Sequence, residues 1–398
     1  MPRVLVVLPT ASYRTPDFVA AADTMGIELA VASEEDPPLD LAERFVRIDC
    51  SQPESAAEAI VQLADRTPID AVVAADDAGV VIAALASERL GLSHHPPAAA
   101  SATRDKLEMR RLLSTGEVPQ PPYAAVTQAA DAAQVGFPLV LKPRTGAASR
   151  GVIRVDSPKD LAATLDRVAG IASELGESGP LIAERFIPGA EVALEGMVVD
   201  GEVTVLAVFD KPDTPAGPTF PETILVTPSG QPPTVRSELE RVVRAAVAAL
   251  GLTHGPIHAE AIVDDDGRVH LLEVAARSIG GLCGRSLRFG LAGTTLEELI
   301  LATALGSPPR SHRQPRASGV MMLPIDRTGT FERVEGVADA RQVEGITEID
   351  ITIPPHSPVR SLPEGDRYLG FVFAIGSTGD EVVRRIRQAV DKLDIVIS

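Results

Sequence analysis

Residues Arg3–Leu8 (RVLVVL) form a continuous apolar, β-branched run, the mark of a strand buried on both faces. A helical pattern follows from Pro16 to Met25, with proline in its first turn. A strand at Glu28–Ala32, a helix near Glu54–Ala64, a strand at Ala71–Ala75 and a helix over Ala78–Leu90 continue the alternation. Strand–helix alternation predicts an α/β unit, a parallel sheet with helices on both faces. The loop after the first strand, Pro9-Thr10-Ala11-Ser12-Tyr13-Arg14, lacks the G-x-G-x-x-G fingerprint of NAD sites. Its strand ends can still serve a small substrate.

The sequence His94-His95-Pro96-Pro97 breaks this pattern and predicts the first boundary. With no third ligand nearby, the paired histidines are read as structural rather than as a metal site. One polar, charged helix is expected over Ser101–Thr115, carrying Lys106. Extended stretches at Leu139–Lys142 and Val152–Val155 flank a glycine-containing loop. A helix near Asp160–Leu175 and a strand at Leu181–Phe186 follow. Glu191–Val199 and Glu202–Phe209 form a hairpin turned by Asp200-Gly201. Asp210–Pro233, rich in Pro, Thr and Gly, predicts a long functional loop. A helix at Arg236–Leu250 leads to strands at Ile257–Val263 and Val269–Val274, joined by the turn Asp264-Asp265-Asp266-Gly267. After a helix at Leu296–Leu305, the stretch Ser307–Ser318 looks like a linker to a small α+β unit ending in a helix at Asp380–Leu393. The expected organisation is an N-terminal α/β domain over 1–97, two middle units over 98–187 and 188–306, and a C-terminal α+β domain over 307–398.

Composition narrows the function. A net charge of −18 argues against nucleic acid or an anionic membrane as the main partner. No apolar stretch approaches the ~20 residues of a membrane span, and Met1–Leu8 does not resemble a signal peptide. The two cysteines, Cys50 and Cys283, make no disulfide framework, so a cytoplasmic location is expected. Only five of the 37 basic residues are lysines: Lys106, Lys142, Lys159, Lys211 and Lys392. Such sparing use suggests that lysine is kept where a compact charge is needed, as at phosphates, although codon bias accounts for the count equally well.

Three segments carry candidate chemistry. Lys142-Pro143 precedes the small-residue loop Thr145–Gly151, whose amides could approach phosphate oxygens while the lysine supplies charge. By itself such a loop is usually only a turn. In Glu184-Arg185-Phe186-Ile187-Pro188-Gly189-Ala190-Glu191, Glu184 could accept from an exocyclic amine, the Ile187 amide could donate to a ring nitrogen, and Glu191 could bind a ribose diol. Two solvated carboxylates beside a turn are an equally good reading of that segment alone. The third signal is stronger. A hairpin closing at Asp264–Gly267 sets Glu260 and Glu273 nearly opposite. Like charges in that position need a cation, and Mg2+ suits carboxylate oxygens. Arg277 follows four residues after Glu273, with Gly280-Gly281 just beyond, and could meet a γ-phosphate or a developing oxyanion.

Lys106, Lys142 with its loop, Glu184 to Glu191, and Glu260, Glu273 and Arg277, in this order, resemble the ATP-grasp ligases over almost the whole chain. The phrase Leu272-Glu273-Val274-Ala275-Ala276-Arg277 with Gly280-Gly281 resembles the L-amino-acid ligase branch, which makes dipeptides. The resemblance implies that 98–187 is a nucleotide-binding lid and 188–306 a core with the metal site, that Lys106 and Lys142 contact ATP phosphates, and that Thr145, Gly146, Ser149 and Gly151 belong to a closing loop. It implies that Glu184 with the Arg185 and Ile187 backbone reads adenine, and Glu191 the ribose. Glu260 and Glu273 would hold two Mg2+ ions, with Mn2+ an acceptable substitute, and Arg277 would stabilise the acyl phosphate and tetrahedral intermediate. Many ATP-grasp enzymes carry Asn where this chain has Ala275, a departure the amino-acid ligases share. The implied reaction is ATP-dependent amide formation between a small carboxylic acid and an amine. A carboxylase-like or purine-pathway enzyme, and a non-catalytic ATP-binding protein, are the alternatives. Lys211 could approach phosphate, Glu222 a substrate amine, and Gly280 and Gly281 the substrate, with a solvated loop charge an equal reading for Lys211 and Glu222. His258 is expected to be a satisfied core histidine and Cys283 to be structural. Arg285 and Arg288 are weighed as binders of a substrate carboxylate. Small-molecule substrates and a homodimer are expected.

Overall fold

In the computed structural model, which describes residues 1–10, 12–36, 41–213, 217–307, 309 and 312–398, the N-terminal apolar run lies inside a four-stranded parallel sheet. Strand β1 (Arg3–Val7) lies between β2 (Glu28–Ser33) and β4 (Ala71–Ala74), with β3 (Phe45–Arg47) beyond β2. Val4 and Val6 pack with Phe18 of the helix Thr15–Met25. Leu5 and Val7 point the other way, to Ile60 and Leu63 of the helix Pro53–Ala64. Burying one such side chain is worth about 1.5–3 kcal/mol, so both faces hold the strand in place. Gly26, at φ +64°, ends the first helix in a left-handed cap. The chain leaves β1 and β4 toward a single cavity, which Ser12, Tyr13, Asp76 and Asp77 line. That is the expected place for a ligand at the carboxyl ends of parallel strands.

The single helix expected over Ser101–Thr115 is two helices, Pro97–Arg104 and Lys106–Thr115. Asp105 between them is extended, at φ −120° and ψ 102°, and its carboxylate caps the second helix by accepting from the Leu107 and Glu108 amides at 3.1 and 3.2 Å. The break is what places Lys106 on a first helical turn. Beyond it, β5 (Tyr123–Val126), β6 (Leu139–Lys142), β7 (Ile153–Val155) and β8 (Leu181–Arg185) form an antiparallel sheet ordered β5-β8-β6-β7. The helix Pro158–Glu174 packs on it through Leu161 and Val168.

An eight-stranded sheet makes the floor. Its strands include β9 (Ala190–Val199), β10 (Glu202–Lys211), β11 (Ile224–Thr227), β12 (Gly255–Val263) and β13 (Val269–Ala275). It continues through β14 (Ala317–Leu323), with β15 (Gly329–Glu335) outside it, then β16 (Ile346–Ile351). The short β17 (Ser357–Val359) is followed by β18 (Gly370–Gly376) and β19 (Asp394–Ile397). The order is β13-β12-β9-β10-β11-β14-β18-β16, while β17, β15 and β19 form a separate three-stranded sheet. The expected loop Asp210–Pro233 contains β11, because the apolar run Ile224-Leu225-Val226 pairs with Val320 and its neighbours on β14. Residues 214–216 of that stretch, and 308, 310 and 311 of the expected linker, lie outside the described residues. Through β11 and β14 the C-terminal strands extend the same sheet as the core.

His95 is buried at the seam between the N-terminal sheet and the core, where its Nδ1 accepts from the Thr253 and His254 amides at 3.1 Å each. Burial pushes it down to about 4, a neutral structural histidine. Among the described residues no helix is long and apolar enough to cross a membrane.

Asp105→Ala removes the cap of the Lys106 helix together with an Arg144 partner 2.7 Å away. We expect a loss of about 1 kcal/mol in urea unfolding. A midpoint equal to that of the parent would show that the cap carries no stability.

Candidate active site

The lid sheet, the eight-stranded floor and the ends of β1 and β4 enclose a cavity of about 1160 Å³. Three of the five lysines, Lys106, Lys142 and Lys211, lie on its wall, and Lys159 and Lys392 are exposed at the surface.

At the roof, Lys142 ends β6 and Glu184 lies on the neighbouring β8. Lys142 Nζ is 2.7 Å from Glu184 Oε2, and Arg110 Nε is 2.8 Å from Glu184 Oε1. Burial raises the Glu184 carboxyl, but Arg110 and Lys142 outweigh it and hold it at about 2. Each carboxylate oxygen thus accepts from one protein cation, and Glu184 itself lines the cavity. What Glu184 does here is fix the Lys142 ammonium. The same Arg110 donates to the carbonyls of Leu271 and Leu272, at 3.2 and 2.6 Å. Leu272 is the extra residue of a bulge, because the ladder passes from Glu260↔Glu273 to Ala261↔Leu271.

The small-residue loop is built for close approach. Gly146, Ala148, Ser149 and Gly151 all have positive φ, of +97°, +54°, +56° and +73°. For Ala148 and Ser149 that backbone is sparsely populated. Thr145 through Arg150 line the cavity. Two expected members of the binding loop are otherwise engaged. The Thr145 amide donates to Glu177 at 2.7 Å and its hydroxyl bonds the same carboxylate. Gly151 lies off the wall, with its amide donating to the Pro363 carbonyl at 2.8 Å. Arg185 and Ile187 line the cavity, with the Arg185 amide already taken by the Pro122 carbonyl at 2.8 Å.

On the floor, Glu260 and Glu273 stand opposite each other in the β12–β13 ladder. The carboxylates that gather most closely are nevertheless Glu191, Glu222 and Glu260, whose oxygens lie within 4.8 Å of one another. Lys211 sits among them, 2.5 Å from Glu191, 2.9 Å from Glu222 and 3.4 Å from Glu260. Glu191, expected at a ribose, is therefore engaged with Lys211, and Lys211 with carboxylates. Glu273 faces Lys106, with Oε2 3.8 Å from Nζ, while that ammonium donates to the Gly146 carbonyl at 3.1 Å. Burial together with Glu260 and Glu191 outweighs Lys211 and pushes Glu222 up to about 7. Glu260 is held well below the ordinary carboxylate range: burial opposes this, but Lys211 and His258 prevail. His258 is part of the site, bonded to Glu195 at 3.0 Å and 3.3 Å from Glu260. Burial would lower it, yet the two carboxylates raise it to about 9.

Arg277 projects toward the end of β4, where Nη2 is 2.7 Å from Asp77 Oδ2 and Nη1 donates to the Ser278 carbonyl at 2.9 Å. Asp77 also meets Arg104 at 2.8 Å. Burial raises Asp77, but Arg277 and Arg104 override that and hold it at about 2. Gly280 and Gly281 form the adjoining wall, and a Cβ on Gly281 (φ +58°) would lie 2.8 Å from the Phe371 ring. Cys283 is buried beside them, with burial pushing its thiol up to about 12, as a structural cysteine requires. Arg285 and Arg288 do not reach the cavity. Arg285 is spent on Asp17, Glu348 and Asp350, at 3.0, 2.7 and 3.1 Å, and Arg288 on the carbonyls of Arg285 and Leu287.

Asp77, Arg110 and Glu195 were missed in the sequence. Asp77 follows a parallel strand end, and Arg110 lies four residues after Lys106 on one helix face; both positions are signals of a kind. Glu195, in an apolar strand, carried none beyond its charge.

Three family descriptions match in chain order: "ATP-grasp N-terminal domain" over residues 19–94, "ATP-grasp domain" over 135–286, and "L-amino acid ligase C-terminal domain 2" over 321–398. The chain is 28% identical over 302 residues to the uncharacterized protein y4rH of Sinorhizobium fredii, covering 74% of this chain and 61% of that one. It is 29% identical over 249 residues to alanine–anticapsin ligase of Bacillus subtilis, covering 57% and 52%. The match thus spans about half to three fifths of these curated relatives. The crystal structure of L-amino acid ligase from Bacillus licheniformis is similar with a TM-score of 0.83 and 25% identity, covering 100% of this chain and 99% of that one.

Asp77→Asn tests the seam. Because the folded-state value lies below the ordinary 3.8, the contribution of Asp77 is complete above that pH and is lost as pH falls through about 2. We expect the variant to be about 1–2 kcal/mol less stable at pH 7, with the gap closing toward pH 2. A gap independent of pH in denaturant titrations would refute the assignment.

Proposed function

We propose that this chain, which belongs to the ATP-grasp superfamily, is an ATP- and Mg2+-dependent ligase joining a small carboxylic acid, an amino acid in our reading, to an amine. One observation carries the proposal. A cavity has phosphate-suited cations at its roof, a concentration of carboxylates on its floor, and Arg277 between them. The names of two relatives, alanine–anticapsin ligase and L-amino acid ligase, supply the reaction class.

The donor set suits a divalent cation. Glu191, Glu222 and Glu260 gather around one lysine, and burial together with the neighbouring carboxylates raises Glu222 to about 7. Glu260 and Glu273 would hold Mg2+, with Glu222 within reach of the same ions. Bound Mg2+ would neutralise phosphate charge. Two ions are expected, and Mn2+ would serve in their place.

The chain's own residues would do the rest by positioning and electrostatics. The substrate carboxylate oxygen attacks the γ-phosphorus of ATP, ADP leaves, and an acyl phosphate forms. The amine nitrogen then attacks the acyl carbon, phosphate departs, and the nitrogen gives up a proton. Lys142, held rigid by Glu184, and Lys106, held by the Gly146 carbonyl, would carry charge to the phosphates. Arg277 would donate to the oxygen that gains charge at the acyl carbon, with Nη2 aimed by Asp77. The small-residue loop would cover the acyl phosphate and keep water from it. Glu184 would contribute through Lys142, and Ile187 and Glu191 would border the nucleoside.

Phosphate release should be screened over amino-acid pairs, with products identified by mass spectrometry. An amide product that requires both amino acids and ATP is the expected result. In this assay Glu273→Ala should abolish turnover, and Arg277→Ala should lower kcat by about 10²–10³. Near-normal turnover by Glu273→Ala would sink the metal assignment.

A further inference from the structure

Glu195 has no exposed surface, although it lies in the middle of an apolar strand between Leu194 and Met197. In the β9–β12 ladder it is paired with His258. Its Oε2 accepts from the His258 ring at Nδ1 and from the Ile279 amide, both at 3.0 Å. The other ring nitrogen of His258, Nε2, lies 3.3 Å from Glu260 Oε1. Among the described residues no donor reaches Glu195 Oε1.

A buried carboxylate with one oxygen unpaired is costly, and an apolar side chain of similar size generally serves stability as well or better. Its geometry is explained by what it holds. Each ring nitrogen of His258 faces a carboxylate, so the ring cannot rotate without losing a partner. Glu260 is thereby held by Oε1 and keeps Oε2 toward Lys211 and the cavity. The same Glu195 oxygen fixes Ile279, two residues after Arg277. One carboxylate thus grips the strand that bears Glu260 and the turn that bears Arg277.

We propose that Glu195 and His258 are positioning residues that set the orientation of the Glu260 carboxylate and of the Arg277–Gly281 turn. The proposal rests on the reading of Glu260 as a metal ligand. Outer partners of metal-binding groups typically change metal affinity by about 10–100-fold when removed, through orientation alone. Glu195 lies behind the cavity wall, and His258 reaches the wall beside Glu260.

Two near-isosteric variants of the full chain test the proposal, Glu195→Gln and His258→Phe, with Glu260→Gln as control. Mn2+ binding to the ADP-loaded protein, followed by electron paramagnetic resonance, gives a readout independent of turnover. Each variant should bind Mn2+ about tenfold more weakly. Each should also lower kcat for ATP-dependent phosphate release about tenfold, with KM for ATP changed less than about twofold. Two variants guard against a folding defect in either one. Mn2+ affinity lost in Glu260→Gln but retained in both others would overturn the proposal. Affinity retained in Glu260→Gln would overturn the metal reading itself, and the positioning role with it.

Discussion

Three glutamates from three segments converge on one lysine, and the site depends on how that charge is balanced. Lys211 ends β10 directly opposite Glu191 on β9, so sheet register alone brings the first pair together. Glu260 lies on β12, across β9, and Glu222 precedes β11. The strands that carry Lys211, Glu191 and Glu260 are neighbours in one sheet, so the backbone holds these three residues close together. Lys211 and His258 lie against these carboxylates, and burial with the neighbouring Glu260 and Glu191 raises Glu222 to about 7. A floor of this kind favours any cation that brings its own anion, as Mg2+ does with a nucleotide phosphate.

The same logic joins the layers around the floor. Arg110 is almost fully buried and serves Glu184 in the lid and two carbonyls of the bulge in β13. Asp77 joins the N-terminal sheet to Arg277 and Arg104. Arg14 pairs with Glu297 at 2.6 Å and donates to Ser278 and to the Ala75 carbonyl, at 2.6 and 3.1 Å. Buried ion pairs of this sort add little net stability compared with apolar packing, since desolvation offsets their attraction. What they provide is a fixed relation between segments: Arg110 ties the lid to the floor, while Asp77 and Arg14 tie the N-terminal part to the residues around Arg277. Arg277 is fixed by two of them, through its own guanidinium and through Ser278 beside it.

The parts of this arrangement that sequence reveals are the local ones. The parallel sheet is legible in RVLVVL and the helices that alternate with it. The opposition of Glu260 and Glu273 is legible because a short acidic turn sets the register of a hairpin. Partners across long separations are not. Arg110 and Glu184 stand 74 residues apart, His258 and Glu195 63, and Arg277 and Asp77 200. Such distances hide the fact that Glu184 is engaged with two cations, Arg110 and Lys142. Nor does the pattern show β11, whose few apolar residues are masked by a Pro- and Gly-rich stretch until β14 pairs with them. Asp105 is hidden differently: its neighbours favour helix, and only the capping role of its carboxylate explains the break.

Backbone strain in the lid has a consequence for how the cavity closes. Ala148 and Ser149 at positive φ each cost of order 1 kcal/mol or more and persist only where their surroundings over-determine them. Here the determinants lie at both ends of the loop. Glu177 holds the Arg144 and Thr145 amides on one side, at 2.9 and 2.7 Å. On the other, the Gly151 amide is held by the carbonyl of Pro363, in the C-terminal part of the chain. Arg167 on the lid helix reinforces this with Glu364 at 2.7 Å. Between the anchored ends, Gly146 through Ser149 run along the cavity wall. Four residues with small side chains can bring backbone amides close to phosphate oxygens where larger ones would obstruct. The C-terminal part of the chain, whose strands extend the floor and whose Pro363 and Glu364 reach back to the lid, thus ties the two walls of the cavity together.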